Sequence, residues 1–337
     1  MDKQIRWGFL GCGNVVRKKS GEAFRSVPYS TIAAIMRRDL SAAEDAARYF
    51  GAESFCSSVE QLLSSNIDAV YIATPPGLHK EQALQCLAAG KPVYLEKPFA
   101  RNYTEARALT EAFQHAGIPL YVGHYRRALP RFLKIRQLLE SGAIGQVQRV
   151  DFCLNRIFDP TEAAAKWLYN PVLSGGGKFY DIAPHTVDIF QFLFGQIREV
   201  SGRAVHLDNG CPLENEVVMD VVTVRDIRGR LSFFCGAQEK SDRMVVTGTQ
   251  GTMEFSVHGK MDIKVRGKQL LDLEIRDPVT VEQPMVQSVV EDLLCLGRCE
   301  SRAEDVLSTY WVIDQVLDRY YGGRADDFWL YPDRYGK

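Results

Sequence analysis

The 337-residue sequence has no excess of charge of either sign, with 41 Lys and Arg against 42 Asp and Glu. A chain this close to neutrality offers no field that would hold nucleic acid or an anionic membrane. We therefore expect a small-molecule partner, with neither nucleic acid nor membrane binding.

Long apolar runs are also missing from the sequence. The run that ends at Gly11 is too short for a signal sequence, and no later stretch is long enough to span a bilayer. These absences predict a cytoplasmic protein.

The eight cysteines show no paired spacing of the kind that binds a metal. Cys295 and Cys299 have helical spacing, but no His or further Cys lies near them, so we interpret them as buried side chains. We expect no metal, and reduced thiols throughout, because the chain carries no export signal.

The first 123 residues alternate short apolar runs with helical stretches. Ser41 and Glu44 form a capping-box pattern at one helix start, and Gly90 and Gly117 end two other helices. Five runs are apolar on both faces and predict buried strands: Ile5 to Leu10, Thr31 to Met36, Ala69 to Thr74, Pro92 to Glu96 and Leu120 to Gly123. Such strands, separated by helices, predict a doubly wound α/β fold with a parallel sheet.

After about residue 123 the pattern changes to longer, alternating strands with few helices, typical of an antiparallel sheet. The predicted strands are Gln146 to Asn155, Glu199 to Val205, Val217 to Val224 and Arg230 to Cys235. The predicted helices are Ile182 to Phe194, Met285 to Leu296 and Ala303 to Tyr321. We therefore predict two domains, residues 1–123 and residues 124–337.

A glycine-rich turn follows the first predicted strand and opens a helix, which is the setting of a dinucleotide-binding turn. Gly11 would permit the tight turn, and Gly13 would let the backbone approach a pyrophosphate at the helix N-terminus. Val16 replaces the usual third glycine. The predicted contacts of this turn with the cofactor are Gly11, Gly13, Asn14 and Val15.

The second strand ends in Arg37 and Arg38, where an NAD site usually has an acidic residue that binds the ribose hydroxyls. Arginine suits a 2′-phosphate, so we predict NADP. Two alternatives stay open: the arginines form a solvated helix cap, or one of them stacks on adenine in an NAD site.

Two further segments lie just beyond strands, where open α/β sheets bind ligands. We expect them to contact the cofactor through Thr74, Pro75, His79, Glu96 and Lys97. Removal of a hydroxyl proton needs a base, and a lysine whose pKa is lowered by partial burial can serve. Lys97 is the candidate, and a surface lysine in a loop is the alternative.

Three motifs together resemble the Gfo/Idh/MocA oxidoreductase family. They are Gly11-x-Gly13, Glu96-Lys97-Pro98, and the glycines at 175–177 followed by Asp181, His185 and Asp188. Residues 68–75, 88–92 and 248–254 also fit, so the resemblance covers essentially the whole chain.

The resemblance implies an N-terminal Rossmann domain that binds NAD or NADP. It also implies a C-terminal α+β domain with a mostly antiparallel open sheet, which binds substrate and mediates homodimer or homotetramer contacts. In this family the lysine that corresponds to Lys97 takes part in proton transfer, and the bond before Pro98 is commonly cis.

Asp181 and His185 are four residues apart, so on a helix they share one face, opposite an apolar stripe. By themselves these residues fit an N-cap and a half-buried histidine. With the family pattern, His185 becomes a catalytic acid or base, because its ordinary pKa lies near neutrality, and Asp181 assists it or binds substrate hydroxyls. The chain departs from the family pattern at Pro184, which stiffens the helix start.

Four side chains beside these motifs are candidates to line a polyol site, although each fits a packing role equally well: Tyr125, Arg126, Trp167 and Tyr180.

The resulting hypothesis is an NAD(P)-dependent oxidoreductase that transfers a hydride to or from a hydroxyl-bearing carbon of a sugar, anhydro-sugar, inositol or cyclic diol. One alternative is a redox-neutral glycosidase or epimerase that oxidises a hydroxyl transiently. Another is a non-catalytic NADP-sensing regulator, a class that can lose the lysine or histidine that this chain retains.

Overall fold

The computed structural model describes residues 4–157, 166–206 and 213–337, which divide into two compact units. The first unit comprises Met1–Ala100, Glu105–Leu129 and Pro278–Leu307. The second comprises Arg101–Thr104, Pro130–Asp277 and Ser308–Lys337. This division differs from a single boundary at residue 123, because the segment Pro278–Leu307 returns to the first unit.

The first unit is built on a six-stranded parallel sheet with strand order β3-β2-β1-β4-β5-β6. Its strands are β1 Ile5–Leu10, β2 Ser30–Met36, β3 Ser54–Cys56, β4 Ala69–Ile72, β5 Val93–Leu95 and β6 Leu120–Val122. The predicted doubly wound fold is confirmed. The sequence pattern missed only β3, a three-residue edge strand whose side chains are mostly exposed.

The helices in chain order are α1 Gly21–Ser26, α2 Leu40–Phe50, α3 Val59–Leu63, α4 Pro76–Ala88, α5 Tyr103–Ala116, α6 Pro130–Glu140, α7 Pro171–Ser174, α8 Lys178–Phe194, α9 Gln283–Leu293 and α10 Ala303–Tyr321. The capping box predicted at Ser41 and Glu44 is wrong, because Asp39 caps α2 by accepting a hydrogen bond from the Ala42 amide at 3.0 Å. Glu44 instead pairs with Arg48 at 3.1 Å.

An aromatic cluster forms the core of the first unit on one face of the parallel sheet. Trp7, Phe9, Tyr71 and Tyr94 are fully buried there, with edge or stacked ring contacts among their neighbours. The apolar side of α9 completes the cluster from far along the chain with Met285, Val286, Val289 and Val290. The return of the segment 278–307 is therefore a packing requirement of this sheet face.

The second unit contains an eight-stranded sheet with order β14-β13-β12-β11-β7-β10-β9-β8, antiparallel except between β7 and β10. Its strands are β7 Val147–Arg156, β8 Ile197–Val205, β9 Glu216–Thr223, β10 Arg228–Cys235, β11 Ser241–Gly248, β12 Gly251–Phe255, β13 Asp262–Arg266 and β14 Leu270–Glu274. Burial alternates along β9 and β10, and α8 packs on the buried face through Phe179 against Phe233, with ring centres 4.9 Å apart. The predicted mostly antiparallel sheet is confirmed.

The two cysteines with helical spacing lie in different surroundings. Cys299 is fully buried as expected, but Cys295 is exposed in a left-handed conformation just after α9, so its predicted burial is wrong. Over the described ranges, no group of three or more His, Cys, Asp or Glu side chains is arranged to hold a metal. No helix in the same ranges is both long and apolar enough to cross a bilayer.

Candidate active site

The turn after β1 is tightly packed at one glycine and open at the next. Gly11 has a φ of +87°, and a Cβ there would lie 2.9 Å from the Thr74 methyl carbon. A Cβ on Gly13 would meet nothing within 4 Å, and Gly13, Asn14 and Val15 are exposed. A backbone this open lets a phosphate approach the N–H groups at the helix start, so the turn fits the pyrophosphate of a dinucleotide.

The helix that follows this turn begins with an irregular segment. Val16–Ser20 forms a π-helical turn before α1, a feature found often at functional sites. Gly21 then packs so closely that a Cβ would lie 2.4 Å from the Phe50 ring. Ser20 ends the turn in a buried position, with its Oγ 2.8 Å from the Tyr71 hydroxyl.

Arg37 and Arg38 follow β2, as predicted from the sequence. Arg37 is half-buried, and its charge, with that of Arg17, acts on Cys12 in the glycine turn. Burial raises the pKa of Cys12 to about 11, and the two arginines oppose that shift. The charge of Arg37 therefore acts on the glycine turn. Arg38, the next residue, is exposed.

His79 is fully buried, and its ring joins two loops at the carboxyl ends of the strands. Nε2 lies 2.8 Å from the Thr74 carbonyl oxygen, and Nδ1 lies 3.0 Å from that of Pro98. Burial lowers the pKa of His79, and its contacts with backbone carbonyls act in the opposite direction. This placement suits a residue that holds the segment around Thr74 against the segment around Pro98.

The segment Glu96-Lys97-Pro98 directly follows β5, and the peptide bond before Pro98 is cis, as the family resemblance implied. Glu96 is buried, and its Oε1 accepts a hydrogen bond of 2.6 Å from the Tyr71 hydroxyl. Its Oε2 accepts one of 3.2 Å from the Lys97 backbone amide. Burial raises the pKa of Glu96, while Tyr71 and the charge of Lys97 oppose the shift. The Lys97 side chain itself is half-buried.

Two predicted substrate residues lie in the short helical turn after β6. Arg126 is 7% exposed, and its guanidinium lies 4.9 Å from the centre of the Tyr125 ring. Tyr125 packs at the border of the aromatic cluster. These contacts match the packing alternative left open for both residues.

In the second unit, the last of the three glycines before α8, Gly177, is held by Glu214, which sequence reasoning missed. Both carboxylate oxygens accept from the Gly177 amide, at 2.8 and 2.9 Å, and Oε1 also accepts from the Tyr180 amide at 3.1 Å. The Tyr321 hydroxyl donates a short hydrogen bond to Oε2. A carboxylate at this place accepts from amides at the helix start that have no partner within the helix, and the positive end of the helix dipole favours its negative charge.

Arg324 anchors the other side of the same glycine turn. It is 1% exposed, pairs with Asp314 at 2.6 Å, and donates to the carbonyls of Gly175 and Arg101 at 2.9 and 2.7 Å. A Cβ on Gly175 would lie 2.6 Å from the Arg101 Cα, so this turn accepts only glycine. The glycine run is thus fixed by one buried anion and one buried cation.

Helix α8 begins at Lys178, four residues before the predicted start, and its N-cap is Gly177. Asp181 therefore lies in the first turn, and the N-cap alternative for it is wrong. Pro184 lies inside the helix, and His185, one residue later, is 9% exposed. Asp181 and His185 are four residues apart on this helix, as predicted.

A second histidine, His258, lies beside His185, with the ring centres 6.2 Å apart. Its Nε2 lies 2.8 Å from the Thr186 hydroxyl, and its backbone amide donates to Asp242 at 2.6 Å. His258 also lines a cavity of about 930 Å³ at the ends of β7, β11 and β12. No motif surrounds His258 in the sequence, so only the fold reveals it.

The other two predicted substrate residues also lie in the second unit. Trp167 is half-buried in a short 3-10 helix. Tyr180 is 1% exposed, and the Arg324 guanidinium lies 4.8 Å from its ring centre. The burial of Tyr180 and its contact with Arg324 fit the packing role that was left open for this residue.

Comparison with known proteins gives two family matches in sequence. Residues 5–124 match a profile described as "Oxidoreductase family, NAD-binding Rossmann fold", and residues 132–254 match "GFO/IDH/MocA C-terminal domain". The first of these covers the glycine turn and Lys97, and the second covers α8.

Individual relatives agree with these matches. Oxidoreductase P35 of Formosa agariphila is 35% identical over 329 residues, which are 93% of this chain and 98% of that protein. Mouse trans-1,2-dihydrobenzene-1,2-diol dehydrogenase is 28% identical over 257 residues, 74% of each chain. The fold resembles a levoglucosan dehydrogenase solved with NADH and levoglucosan, at a TM-score of 0.84 and 21% identity, covering 94% of this chain and 96% of that one.

Proposed function

Because the chain belongs to the GFO/IDH/MocA oxidoreductase family, with an NAD-binding Rossmann domain, we propose that it is a dehydrogenase or reductase of polyols. The substrate is a sugar, anhydro-sugar, inositol or cyclic diol, and a hydride moves between the nicotinamide and a hydroxyl-bearing carbon. The named activities of the diol and levoglucosan relatives support this choice of substrate class.

One observation carries the proposal. The open glycine turn after β1 and the Glu96-Lys97-Pro98 turn after β5 both lie at the carboxyl ends of strands in one parallel sheet. Ligands of open α/β sheets bind at that edge. The same unit thus combines a dinucleotide cradle with a half-buried lysine.

The chemistry assigns each residue a role. When bound, the nicotinamide cofactor supplies the hydride acceptor, or in reverse the hydride donor. In the oxidation direction the C–H electron pair leaves as hydride, the C=O bond forms, and the hydroxyl proton passes to a base. We assign Lys97 as that base, with His185 as the second acid or base and Asp181 as its partner or as a substrate-hydroxyl ligand.

We propose NADP as the preferred cofactor. Arg37 and Arg38 follow the strand that ends near the adenosine ribose in this fold, and Arg37 interacts with the glycine turn. Asp39, the next residue, caps α2 through Oδ1, which accepts from the Ala42 amide. Replacing Arg37 or Arg38 by Gln is expected to weaken NADPH about tenfold or more, with a smaller effect on NADH.

Fluorescence titration with both cofactors tests this choice, and Arg48→Gln on the exposed side of α2 serves as the control. Equal losses of affinity for NADPH and NADH in Arg37→Gln and Arg38→Gln would indicate instead that an arginine stacks on adenine or that the two form a helix cap.

We also propose that the protein is cytoplasmic and forms a homodimer or homotetramer. Sedimentation of the purified protein tests the oligomeric state.

The activity test combines cofactor binding with turnover on a panel of sugars, keto-sugars, inositols and cyclic diols. Lys97→Ala is expected to abolish hydride transfer while NADPH affinity stays nearly intact, and exposed Lys268→Ala is the control. Wild-type turnover in Lys97→Ala would contradict the assignment of the base. Cofactor that stays bound through turnover without net redox would favour the redox-neutral alternative, and binding without any turnover would favour the regulator.

A further inference from the structure

A cavity of about 930 Å³ lies within the second unit, at the ends of β7, β11 and β12. Its size is that of a small-molecule site. Five basic side chains line it: Arg156, Lys240, Arg243, Lys260 and Lys264. Three acidic side chains also line it, and five against three leaves an excess of two positive charges, whereas the whole chain has a net charge of -1.

Two of the three acids are already engaged within the protein. Glu254 pairs with Arg243 at 2.6 Å, which cancels one charge of each sign. Asp242 accepts hydrogen bonds from the Val257 amide at 3.1 Å and from the His258 amide at 2.6 Å. Asp242 therefore fixes the turn that carries His258, and four cations remain in the cavity against two carboxylates.

Unpaired cations distinguish this cavity from the rest of the same sheet. Three exposed arginines elsewhere on the sheet form ion pairs, at 2.6, 3.5 and 2.8 Å: Arg149 with Asp151, Arg230 with Asp220 and Arg266 with Asp272. Arg156, Lys240 and Lys260 are also exposed, yet none of them forms an ion pair with any other residue that the structure describes. Like charges held together at one cavity repel one another, and an anion bound among them removes that repulsion.

His258 connects the cavity to the helix that carries the proposed acid or base. Its ring lines the cavity, and its Nε2 lies 2.8 Å from the Thr186 hydroxyl on α8. The centre of the His258 ring lies 6.2 Å from that of His185, the residue before Thr186. A ligand group bound in the cavity therefore lies beside the residue that we assign as the second acid or base.

We propose that this cavity binds an anionic substituent of the substrate, so that the polyol is an acidic sugar. The substituent is a carboxylate, a phosphate ester or a sulfate ester, which share negatively charged oxygens. The Arg156 guanidinium can bind two such oxygens at once, and Lys240 and Lys260 add point charges. The choice of substrate rests on the proposed function, whereas binding of the anion does not require hydride transfer.

The first test compares kcat/KM for uronates, aldonates, sugar phosphates and sugar sulfates with that for the neutral parent of each. The preferred anionic sugar is expected to exceed its neutral parent about tenfold or more at low ionic strength. This advantage should shrink between about 0.02 M and about 0.5 M salt, because mobile ions screen charges in an open cavity. The preferred substituent then distinguishes a carboxylate from a phosphate or a sulfate. Neutral parents that equal or exceed their anionic forms throughout would overturn the proposal.

Substitution of the unpaired cations locates the effect. In Arg156→Gln, Lys240→Gln and Lys260→Gln, the ratio of kcat/KM for the anionic sugar to that for its neutral parent is expected to fall about three- to tenfold. Arg149→Gln, exposed on the same strand as Arg156, and exposed Lys268→Gln are the controls, and both lie outside the cavity. An unchanged ratio in all three variants, or an equal fall in the controls, would overturn the proposal.

The second test measures binding without turnover, by saturation-transfer NMR of the same sugars with the protein, with and without NADPH. Preferential binding of anionic sugars is expected, and Arg156→Gln is expected to reduce it. That preference without any oxidoreductase activity would support the anion site and refute the proposed function. Turnover of neutral polyols with no preference for anionic forms in either test would refute the anion site and leave the proposed function standing.

Discussion

Replacing Glu214 tests whether a remote carboxylate holds the start of the helix that carries Asp181 and His185. The side chain accepts hydrogen bonds from the Gly177 and Tyr180 amides and from the Tyr321 hydroxyl, all in a fully buried setting. In Glu214→Ala these three donors lose their acceptor. Glu214→Gln keeps one carbonyl oxygen for the two amides and loses the charge.

The expected cost follows from this count of donors. A buried polar group left without a partner costs about 1–3 kcal/mol, so three of them cost on the order of 3–9 kcal/mol. The alanine variant also no longer buries a carboxylate, and that burial, which raises the pKa of Glu214, offsets part of the loss. We therefore expect the free energy of unfolding to fall by about 3–5 kcal/mol in Glu214→Ala and by about 1–3 kcal/mol in Glu214→Gln.

Urea unfolding measures both changes, with Glu216→Gln on the partly exposed side of β9 as the control. The folded Glu214→Gln protein should also show a reduced kcat with unchanged NADPH affinity, because the proposed cofactor-binding residues lie in the other unit. A stability in Glu214→Ala equal to that of wild type would refute the reasoning. A weakened NADPH affinity in Glu214→Gln would show that the effect is not confined to α8.

Gly21→Ala is expected to lower the free energy of unfolding by about 1–3 kcal/mol, because the new Cβ would lie 2.4 Å from the Phe50 ring. Thermal unfolding measures this loss, and an unchanged stability would contradict the close packing of Gly21 on Phe50. Gly13→Ala meets no atom within 4 Å, so stability should stay within about 0.5 kcal/mol while NADPH titration shows weaker binding. Arg324→Lys keeps the positive charge opposite Asp314 but loses the guanidinium that also donates to the Gly175 and Arg101 carbonyls. The free energy of unfolding in urea is expected to fall by about 2–4 kcal/mol. A fall below about 1 kcal/mol would show that the guanidinium hydrogen bonds are not needed.

The sequence predicts those features that depend on nearby residues. Apolar runs of four or more residues located five of the six strands of the parallel sheet, and Gly90 and Gly117 were correctly placed at helix ends, both with positive φ. Strand β3 was missed because three mostly exposed residues carry no apolar pattern. The start of α8 was placed too late, because Lys178 lies in a polar, glycine-rich context that hides the first turn.

The supporting residues of the site could not be predicted, because their partners are distant in the sequence. Glu214 holds the amide of Gly177, 37 residues earlier. His258 reaches Thr186 over 72 residues. The periodicity of apolar residues indicates which side of a helix or strand is buried, but it does not indicate which distant polar group packs against that side.

The segment Pro278–Leu307 has two roles in the first unit, and both depend on its position late in the chain. Its helix α9 covers an aromatic sheet face that residues 1–123 leave without a partner, and burial of that face is a main source of stability. Burial, and then the charge of Glu96, raises the pKa of its first buried acid, Glu282. The half of the protein with the glycine turn and Lys97 therefore acquires both its complete core and its final electrostatics only when residues beyond 277 have folded onto it.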